Sequence, residues 1–371
     1  MPALKNQHFV PRCLLKLFTL HGEGRSISLF SITTQKVVPN APVKNQCSGS
    51  YFYGEDLVIE RTLQKLEGEF ASALADIHKE GFVLTKRTEE LLRAFWVVQH
   101  LRTEAASRHV IELTHGIAKL LEKYSELPRP DLREAVQIAM NTADRAYRST
   151  EDMKVCLIRN NTNIPFVISD DPAVLTNKWH ALDVRAKGMT HGLGSAGAIL
   201  IMPLSPSVAF IQYDHDVYSI QSKNGWTSTK SDHDIAATNQ HQYLSAISNV
   251  YFTPLDRANY VTTQFEVMKP LRPLEKVRFL YSVLAEKKDG IEKFIRVDGI
   301  PDEPSQMLIS HEHVRPRPSA WPAFLSWKFR GGVYYNGSSA GFCRKAGANE
   351  MNLTMNFSRR GLLFKKLLAR I

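Results

Sequence analysis

The sequence lacks several features that would define a class of protein. It has no run of about 18 apolar residues, the length that a membrane-spanning helix needs. Its first twelve residues contain no long apolar segment of the kind found in secretory signals. The four cysteines, Cys13, Cys47, Cys156 and Cys343, are far apart and form no CxxC pair. These absences disfavour a disulfide framework and structural zinc, and we expect a protein of the reducing cytoplasm.

Motifs for nucleotide cofactors and for common hydrolases are also missing. The chain has no P-loop, no HExxH and no GxSxG. The segment 192–197, GLGSAG, matches GxGxxG in letters, but it precedes an apolar strand instead of following a strand and opening a helix. No nucleotide cofactor is therefore expected.

Positive charge is present but unevenly distributed. The formal net charge is +10, and residues 328–371 carry nine Lys or Arg and a single acidic residue, which gives +8 for this part alone. Residues 358–371 place Leu363, Leu367 and Ile371 on one side of a predicted basic amphipathic helix. This segment could bind nucleic acid, lie on an anionic membrane, pack on the main body or remain a solvated tail, and we favour packing or a solvated tail over nucleic-acid binding.

The pattern of apolar residues predicts an α+β fold, with a helical N-terminal half packed on a mainly antiparallel sheet. Residues 1–289 are expected to form a single domain, mainly helical from 56 to 150 and mainly strands from 153 to 285. Short spacing between the strands favours hairpins over repeated βαβ units. Residues 290–371 form a loop-rich basic extension that ends in the amphipathic helix.

Local signals refine this outline. Thr88 is expected to cap a long helix over residues 85–124, and Asp131 to cap the helix that follows. Residues 261–289 are expected to form a strand, a loop and a helix.

The segment 165–176, PFVISDDPAVLT, is the centre of the predicted site. A short buried strand leads into Asp170 and Asp171, which point to opposite faces, and Pro172 ends it. Carboxylate oxygens at a strand end suit Mg²⁺ or Mn²⁺, and a carboxylate can also act as a base. The alternative is that an aspartate caps the following turn. We expect Asp170 to face the site and Asp171 to shape the turn.

Other polar residues lie in otherwise apolar surroundings. Glu60 and Glu67 are seven residues apart and share one helix face. Gln99 and Arg102 interrupt an apolar helix together with His100 and Thr103, and either line a pocket or anchor a neighbouring loop. His8 is a candidate proton-transfer residue. His311 and His313 would lie on one side of a strand, as in some metal sites, without a third ligand nearby.

The opening residues, NQHFVPRCLLKLF, resemble the HxVPxxxLxxF signature of a large bacterial family of unknown function. YFY, LEGEFA, QHLRT, ISDDP and MPLSP follow in the order that this family shows, over residues 6–285. The resemblance implies a shared site and carries no reaction with it. The residues that it marks are His8, Pro11, Arg12, Glu60, Glu67, Gln99, Arg102, Asp170, Pro172 and Asn239.

Two hypotheses of different classes follow. In the first, the protein is a metal-dependent hydrolase acting on a phosphate-containing substrate such as a nucleic acid or nucleotide. Its catalytic residues are His8, Glu60, Arg102 and Asp170, its metal ligands Asp170 and Glu67, and its substrate-binding residues Arg12, Gln99 and Asn239. In the second, the protein binds nucleic acid or another protein without catalysis, and the same residues form a buried structural network.

Overall fold

The computed structural model of the protein describes residues 5–121, 129–186, 189, 191–288, 290–299, 306–329, 331–335, 341–344 and 356–359. The predicted amphipathic helix lies outside the described residues except for Ser358 and Arg359, which belong to a strand.

Helices dominate the first half of the described chain and return later in three places. Of the helices described here, none combines the length and apolar content needed to span a bilayer. The helices are α1 (Arg12–Lys16), α2 (Val58–Ile77), α3 (Lys86–Leu101), α4 (Glu104–Leu121), α5 (Leu132–Met140), α6 (Ala143–Arg148), α7 (Lys178–Leu182), α8 (Asp232–Ser245) and α9 (Ala258–Met268).

The strands of the described chain are β1 (Asn6–His8), β2 (Ser26–Ser31), β3 (Lys36–Pro42), β4 (Ser48–Ser50), β5 (Lys154–Asn160), β6 (Ile168–Ser169), β7 (Val174–Thr176), β8 (Ile199–Ser205), β9 (Val208–Tyr213), β10 (Tyr218–Ser219), β11 (Trp226–Thr229), β12 (Asn249–Phe252), β13 (Val277–Lys288), β14 (Ile291–Val297), β15 (Met307–His313), β16 (Ser326–Trp327), β17 (Gly332–Tyr335) and β18 (Asn356–Arg359).

These strands form three main sheets, of order β11-β5-β9-β8-β7, β3-β2-β12-β6 and β14-β13-β15, and three two-stranded ribbons, β1-β4, β10-β16 and β17-β18. Pairing is antiparallel except between β11 and β5.

The five-stranded sheet is buried on both faces, which explains why its strands are almost continuously apolar. Along β5, Val155 and Leu157 join the core that contains α2 and α3, whereas Cys156 and Ile158 join a second core on the opposite face. This alternation is the two-residue period of a strand. The predicted α+β class, with mainly antiparallel sheets, is confirmed.

The helix starts follow from capping side chains. Asp131 accepts a hydrogen bond from the N–H of Glu134, whose side chain accepts one from the N–H of Asp131, so the predicted cap of α5 is a full capping box. The cap of α3 is Thr85, three residues before the predicted Thr88. Thr85 immediately precedes the first turn of α3, and the N–H of Thr88 in that turn has no partner within the helix. The Thr85 hydroxyl therefore accepts this N–H.

The order of elements predicted for residues 261–289 was wrong, because the structure has a helix first and a strand second. Val261, Phe265 and Met268 are buried on one face of α9 at a spacing of four and three residues, which is helical. Residues 277–288 form β13, whose alternation was mistaken for helix. This strand pairs with β14 and β15, so the three-stranded sheet includes residues on both sides of the predicted boundary at 289.

Helix α8 is buried along most of its length although many of its residues are polar. Its side chains bond the segment 165–172 that contains β6. Asn239 accepts the N–H of Val167 at 3.0 Å and donates to the carbonyl of Pro165 at 2.9 Å. One turn later, Gln242 accepts the N–H of Ser169 at 2.9 Å and donates to the carbonyl of Pro172 at 3.0 Å. The segment is therefore held by β12 on one edge and by helix side chains on the other.

Replacing Asn239 by leucine tests this helix-to-strand clamp. The Asn239→Leu change leaves one buried N–H and one buried carbonyl without partners, so we expect the free energy of unfolding to fall by about 2–4 kcal/mol. Urea denaturation measures the change. The matched control, Asn141→Leu at an exposed position, should stay within about 0.5 kcal/mol of the parent protein. Equal effects of the two substitutions would contradict the clamp.

Candidate functional site

The two aspartates lie where the chain crosses from one sheet to another. β6 belongs to the four-stranded sheet and pairs with β12, whereas β7 pairs with β8 in the five-stranded sheet. Asp170 and Asp171 occupy the first positions of this crossing. Their side chains leave the segment in different directions, as the strand period predicts, and they meet different surroundings.

Asp170 holds a loop. Its carboxylate accepts the N–H groups of Ile247 at 2.8 Å, Ser248 at 2.6 Å and Asn249 at 3.1 Å, in the turn between α8 and β12. Burial raises the pKa of Asp170, and the three N–H donors oppose that rise. Both oxygens are occupied by backbone, so this carboxylate has the surroundings of a structural cap.

Asp171 faces a cavity. Its carboxylate accepts a hydrogen bond from the Thr103 hydroxyl at 3.0 Å. Burial raises its pKa to about 7, and the positive charges of Lys276 and Arg315 oppose the rise. The surroundings of the two carboxylates are therefore the reverse of those that we expected from the sequence.

Arg102 is the centre of a polar cluster near the N-terminus, which we call the Arg102 cluster. The fully buried guanidinium donates from Nη1 to Glu67 at 2.7 Å and from Nε to Gln99 at 3.0 Å and to the Phe9 carbonyl at 3.2 Å. Gln99 also donates to the Phe9 carbonyl, at 2.8 Å. Arg102 Nη2 is buried without an acceptor among the described residues. Gln99 and Arg102 thus anchor the N-terminal loop, one of the two roles predicted for them.

His8 and Glu60 lie within the electrostatic reach of this cluster. Partial burial lowers the pKa of His8, which hydrogen-bonds the Gln46 carbonyl at 3.1 Å, and the charges of Arg12 and Arg102 lower it further. Burial and the charge of Glu67 raise the pKa of Glu60. The structure thus brings these predicted residues near one another. In the part of the chain that the structure describes, no hydrogen bond or ion pair joins Asp170 to His8, Glu60 or Arg102. Asn239 lies on α8 and bonds the segment 165–172 instead.

A cavity lies on the Asp171 side, and we call it the central cavity. Its volume is about 580 Å³, within the range of small-molecule pockets. Its wall comes from the end of α3, one side of α4, the crossing 171–176, the end of α8, residues 272–276 and residues 313–316. Apolar side chains such as Val110, Leu113 and Leu244 form part of this wall. The cavity therefore combines an apolar surface with charged groups.

Four histidines line the central cavity, and all have lowered pKa values. Burial lowers the pKa of His100, His109 and His241 to about 4. Desolvation by the surrounding protein, followed by the charge of Arg315, lowers the pKa of His313 to about 2. His109 and His313 stack with ring centroids 3.5 Å apart, and His241 Nε2 has no hydrogen-bond partner within the described parts. These rings are neutral near pH 7 and offer hydrogen bonds without charge.

The charged groups of the central cavity are mostly positive. Arg272 donates to the carbonyls of Tyr243 and Ala246 and so caps the end of α8. Arg315 donates from Nε to the His191 carbonyl at 3.2 Å, and burial lowers its pKa to about 10. With Lys276, three cations line a cavity in which Asp171 is the one carboxylate among the lining residues that the structure describes.

The predicted metal ligands do not fit a metal site. Mg²⁺ and Mn²⁺ prefer several free oxygen ligands, but three backbone N–H groups occupy Asp170, and Glu67 is paired with Arg102. Among the described residues, no group of three or more His, Cys, Asp or Glu side chains is placed to hold a metal ion. A dependence on Mg²⁺ or Mn²⁺ stays a prediction.

Sequence reasoning missed most of the residues that line the central cavity. It named His100 as a polar interruption of a helix, Asp171 as a residue that shapes a turn, and His313 as part of a histidine pair. It gave no role to His109, His241, Lys276 or Arg315, because single polar residues on helices and in loops carry no local signal. The cavity joins elements more than 200 residues apart in the chain, which only the fold brings together.

The fold and this cavity define an α+β protein with a partly polar cavity where the chain crosses between two sheets. A comparison with protein-family models matches residues 6–256 to the family described as "Protein of unknown function (DUF4238)", and the chain belongs to that family. The expected membership of a family of unknown function is thus confirmed. Searches of the curated proteins and of the solved structures found no match.

The two aspartates should respond differently to substitution. Asp170→Ala removes the acceptor of three backbone N–H groups, so we expect a loss of about 3 kcal/mol or more in the free energy of unfolding. Asp171→Asn keeps an acceptor for Thr103 and removes a carboxylate whose folded pKa, about 7, lies above its unfolded value of 3.8. The ionised Asp171 therefore lowers stability as the pH rises from about 4 to about 7.

Urea denaturation of both variants at pH 5 and pH 8 separates these roles. We expect Asp171→Asn to gain stability relative to the parent protein from pH 5 to pH 8. A large loss for Asp171→Asn at both pH values, with a small loss for Asp170→Ala, would reverse the assignment.

Proposed function

We propose that this protein binds a small phosphate-containing molecule in the central cavity. The observation that carries the proposal is the excess of cations, Arg272, Lys276 and Arg315, over the single carboxylate Asp171 beside an apolar wall. Guanidinium and ammonium groups are the side chains that recognise phosphate oxygens. A ligand with an anionic group and an organic part matches both parts of this lining.

Arg315 is the best candidate to anchor the anion. Its Nε is fixed by the His191 carbonyl at 3.2 Å, which orients the guanidinium in the wall. Burial disfavours the charge of this group, as its lowered pKa reflects, and a bound anion would compensate the charge. The neutral histidines would add hydrogen bonds to the phosphate oxygens, and the unpartnered Nε2 of His241 is one such group.

Hydrolysis of the bound ligand is a second candidate function, favoured by one observation. Asp171 has a pKa of about 7 and lies in the cavity among cations, and a carboxyl group with that pKa can exchange a proton near neutral pH. Asp171 would accept the proton of a water whose oxygen attacks phosphorus, while Arg315 holds the phosphoryl oxygens. The P–O bond to the leaving group would break, and Asp171 would return the proton to the leaving oxygen. The roles that we predicted for His8, Glu60, Arg102 and Asp170 place catalysis elsewhere, and their hydrogen bonds favour a structural network instead.

Sulfate binding tests the proposed anion site, because the charge of sulfate does not change between pH 6 and pH 8. We expect Arg315→Ala to weaken binding about tenfold or more in isothermal titration calorimetry. Arg108→Ala, an exposed control on α4 whose side chain pairs with Glu104, should bind like the parent protein. Thermal melts of Arg315→Ala, Arg315→Lys and Arg108→Ala show whether each variant is folded. Equal binding by folded Arg315→Ala and the parent protein would refute the proposal.

The affinity for sulfate should also depend on pH through Asp171. As the pH falls from 8 to 6, Asp171 gains a proton and its negative charge disappears, so the affinity should rise. Lys276 and Arg315 lie close enough to Asp171 for their charges to lower its pKa. Arg315, whose pKa is about 10, stays charged over this range, and the cavity histidines stay neutral. Asp171→Asn should bind sulfate at pH 8 as tightly as the parent protein does at pH 6, with no slope. A pH slope that persists in Asp171→Asn would show that another group is responsible.

A further inference from the structure

A second, smaller compartment adjoins the central cavity, and we call it the arginine compartment. Its volume is about 250 Å³. The two spaces share the wall formed by residues 313–316, so His313 and Arg315 border both. The remaining wall comes from β13, β14 and β15, the residues around α7, and residues 317–321. One ligand can therefore contact both spaces at Arg315.

The lining of the arginine compartment is strongly cationic. Four guanidinium groups, from Arg278, Arg296, Arg315 and Arg317, line it together with one carboxylate, that of Glu312. Glu312 is already paired with Arg278 at 2.9 Å. Among the described residues, the other three arginines therefore have no carboxylate partner in this compartment. A row of such groups is suited to more than one phosphate.

Two histidines complete the lining without adding charge. Burial, followed by the charge of Arg317, lowers the pKa of His180 to about 4. Burial and the charge of Arg315 lower the pKa of His191 to about 2. The rings lie 5.1 Å apart, and His191 Nε2 is buried with no hydrogen-bond partner in the described chain. A buried ring nitrogen left open near Arg315 and Arg317 marks a place for a ligand atom or a water.

The difference between the two compartments indicates the class of ligand. The central cavity has the size of a small-molecule pocket and an apolar wall, whereas the arginine compartment is smaller than typical organic-ligand pockets and mostly polar. We propose that the ligand is an organic di- or triphosphate. Its first phosphate binds Arg315, its further phosphates extend along Arg296 and Arg317, and its organic part occupies the central cavity. This inference rests on the proposed anion site at Arg315.

Nucleotides that differ only in the number of phosphates test the inference. Titration calorimetry with AMP, ADP and ATP, in EDTA so that no metal ion contributes, should show affinity rising with each phosphate. We expect ATP to bind about tenfold or more tightly than AMP. The double substitution Arg296→Ala and Arg317→Ala should remove this advantage, so that the variant binds ATP no more tightly than it binds AMP. Both side chains are exposed, so the variant should fold, and Arg108→Ala is the control.

The outcomes distinguish this inference from the proposed function. If AMP and ATP bind equally well and Arg315→Ala weakens both, the anion site stands and the arginine compartment is not a phosphate site. If inorganic tripolyphosphate binds as tightly as ATP, the organic part makes no contact and its placement in the central cavity is refuted. If sulfate, AMP and ATP all fail to bind, both proposals fall together.

Discussion

The clamp between α8 and the segment 165–172 is the constraint on which the rest of the site depends. Asn239, Gln242 and Ser245 lie at three-residue intervals on one side of the helix, and they bond the segment at Pro165, Val167, Ser169, Asp171 and Pro172. They replace the neighbouring strand that β6 lacks on this edge, so the buried backbone groups of an irregular crossing are satisfied. Asp170 in turn fixes the residues that follow α8, because its carboxylate accepts the N–H groups of Ile247, Ser248 and Asn249.

This clamp places two adjacent carboxylates, Asp170 and Asp171, in different surroundings. Because Asp170 is used by the α8–β12 turn, Asp171 is left on the opposite side, where the crossing forms a wall of the central cavity. Residues 6–256, which match the family, supply this carboxylate together with His100, His109 and His241. The cations Arg272, Lys276 and Arg315 all follow residue 256. Residues 6–256 therefore supply Asp171 and three of the histidines of the central cavity, and the later part of the chain supplies its three cations.

The sequence was informative where a property is local. Strand alternation, helix spacing and caps predicted the α+β class, and the order of short motifs identified the family. The sequence was misleading where two neighbouring residues carry the same signal. Asp170 and Asp171 differ only in the side of the strand that they face. The position of α8 determines which of the two carboxylates is used by the backbone. The helical spacing of Val261, Phe265 and Met268 was present and overlooked. Arg315 could not be found, because a cation in a loop acquires a role only when distant elements enclose it.

An NMR titration of the Asp171 carboxyl carbon tests the central claim most directly. The signal is assigned by its loss in Asp171→Asn, and its pKa is measured with and without sulfate. The account predicts a pKa near 7, from burial in the cavity wall, and a further rise when sulfate is added, because a nearby anion disfavours a second negative charge. A pKa near that of an exposed aspartate, about 4, and no response to sulfate would contradict the account.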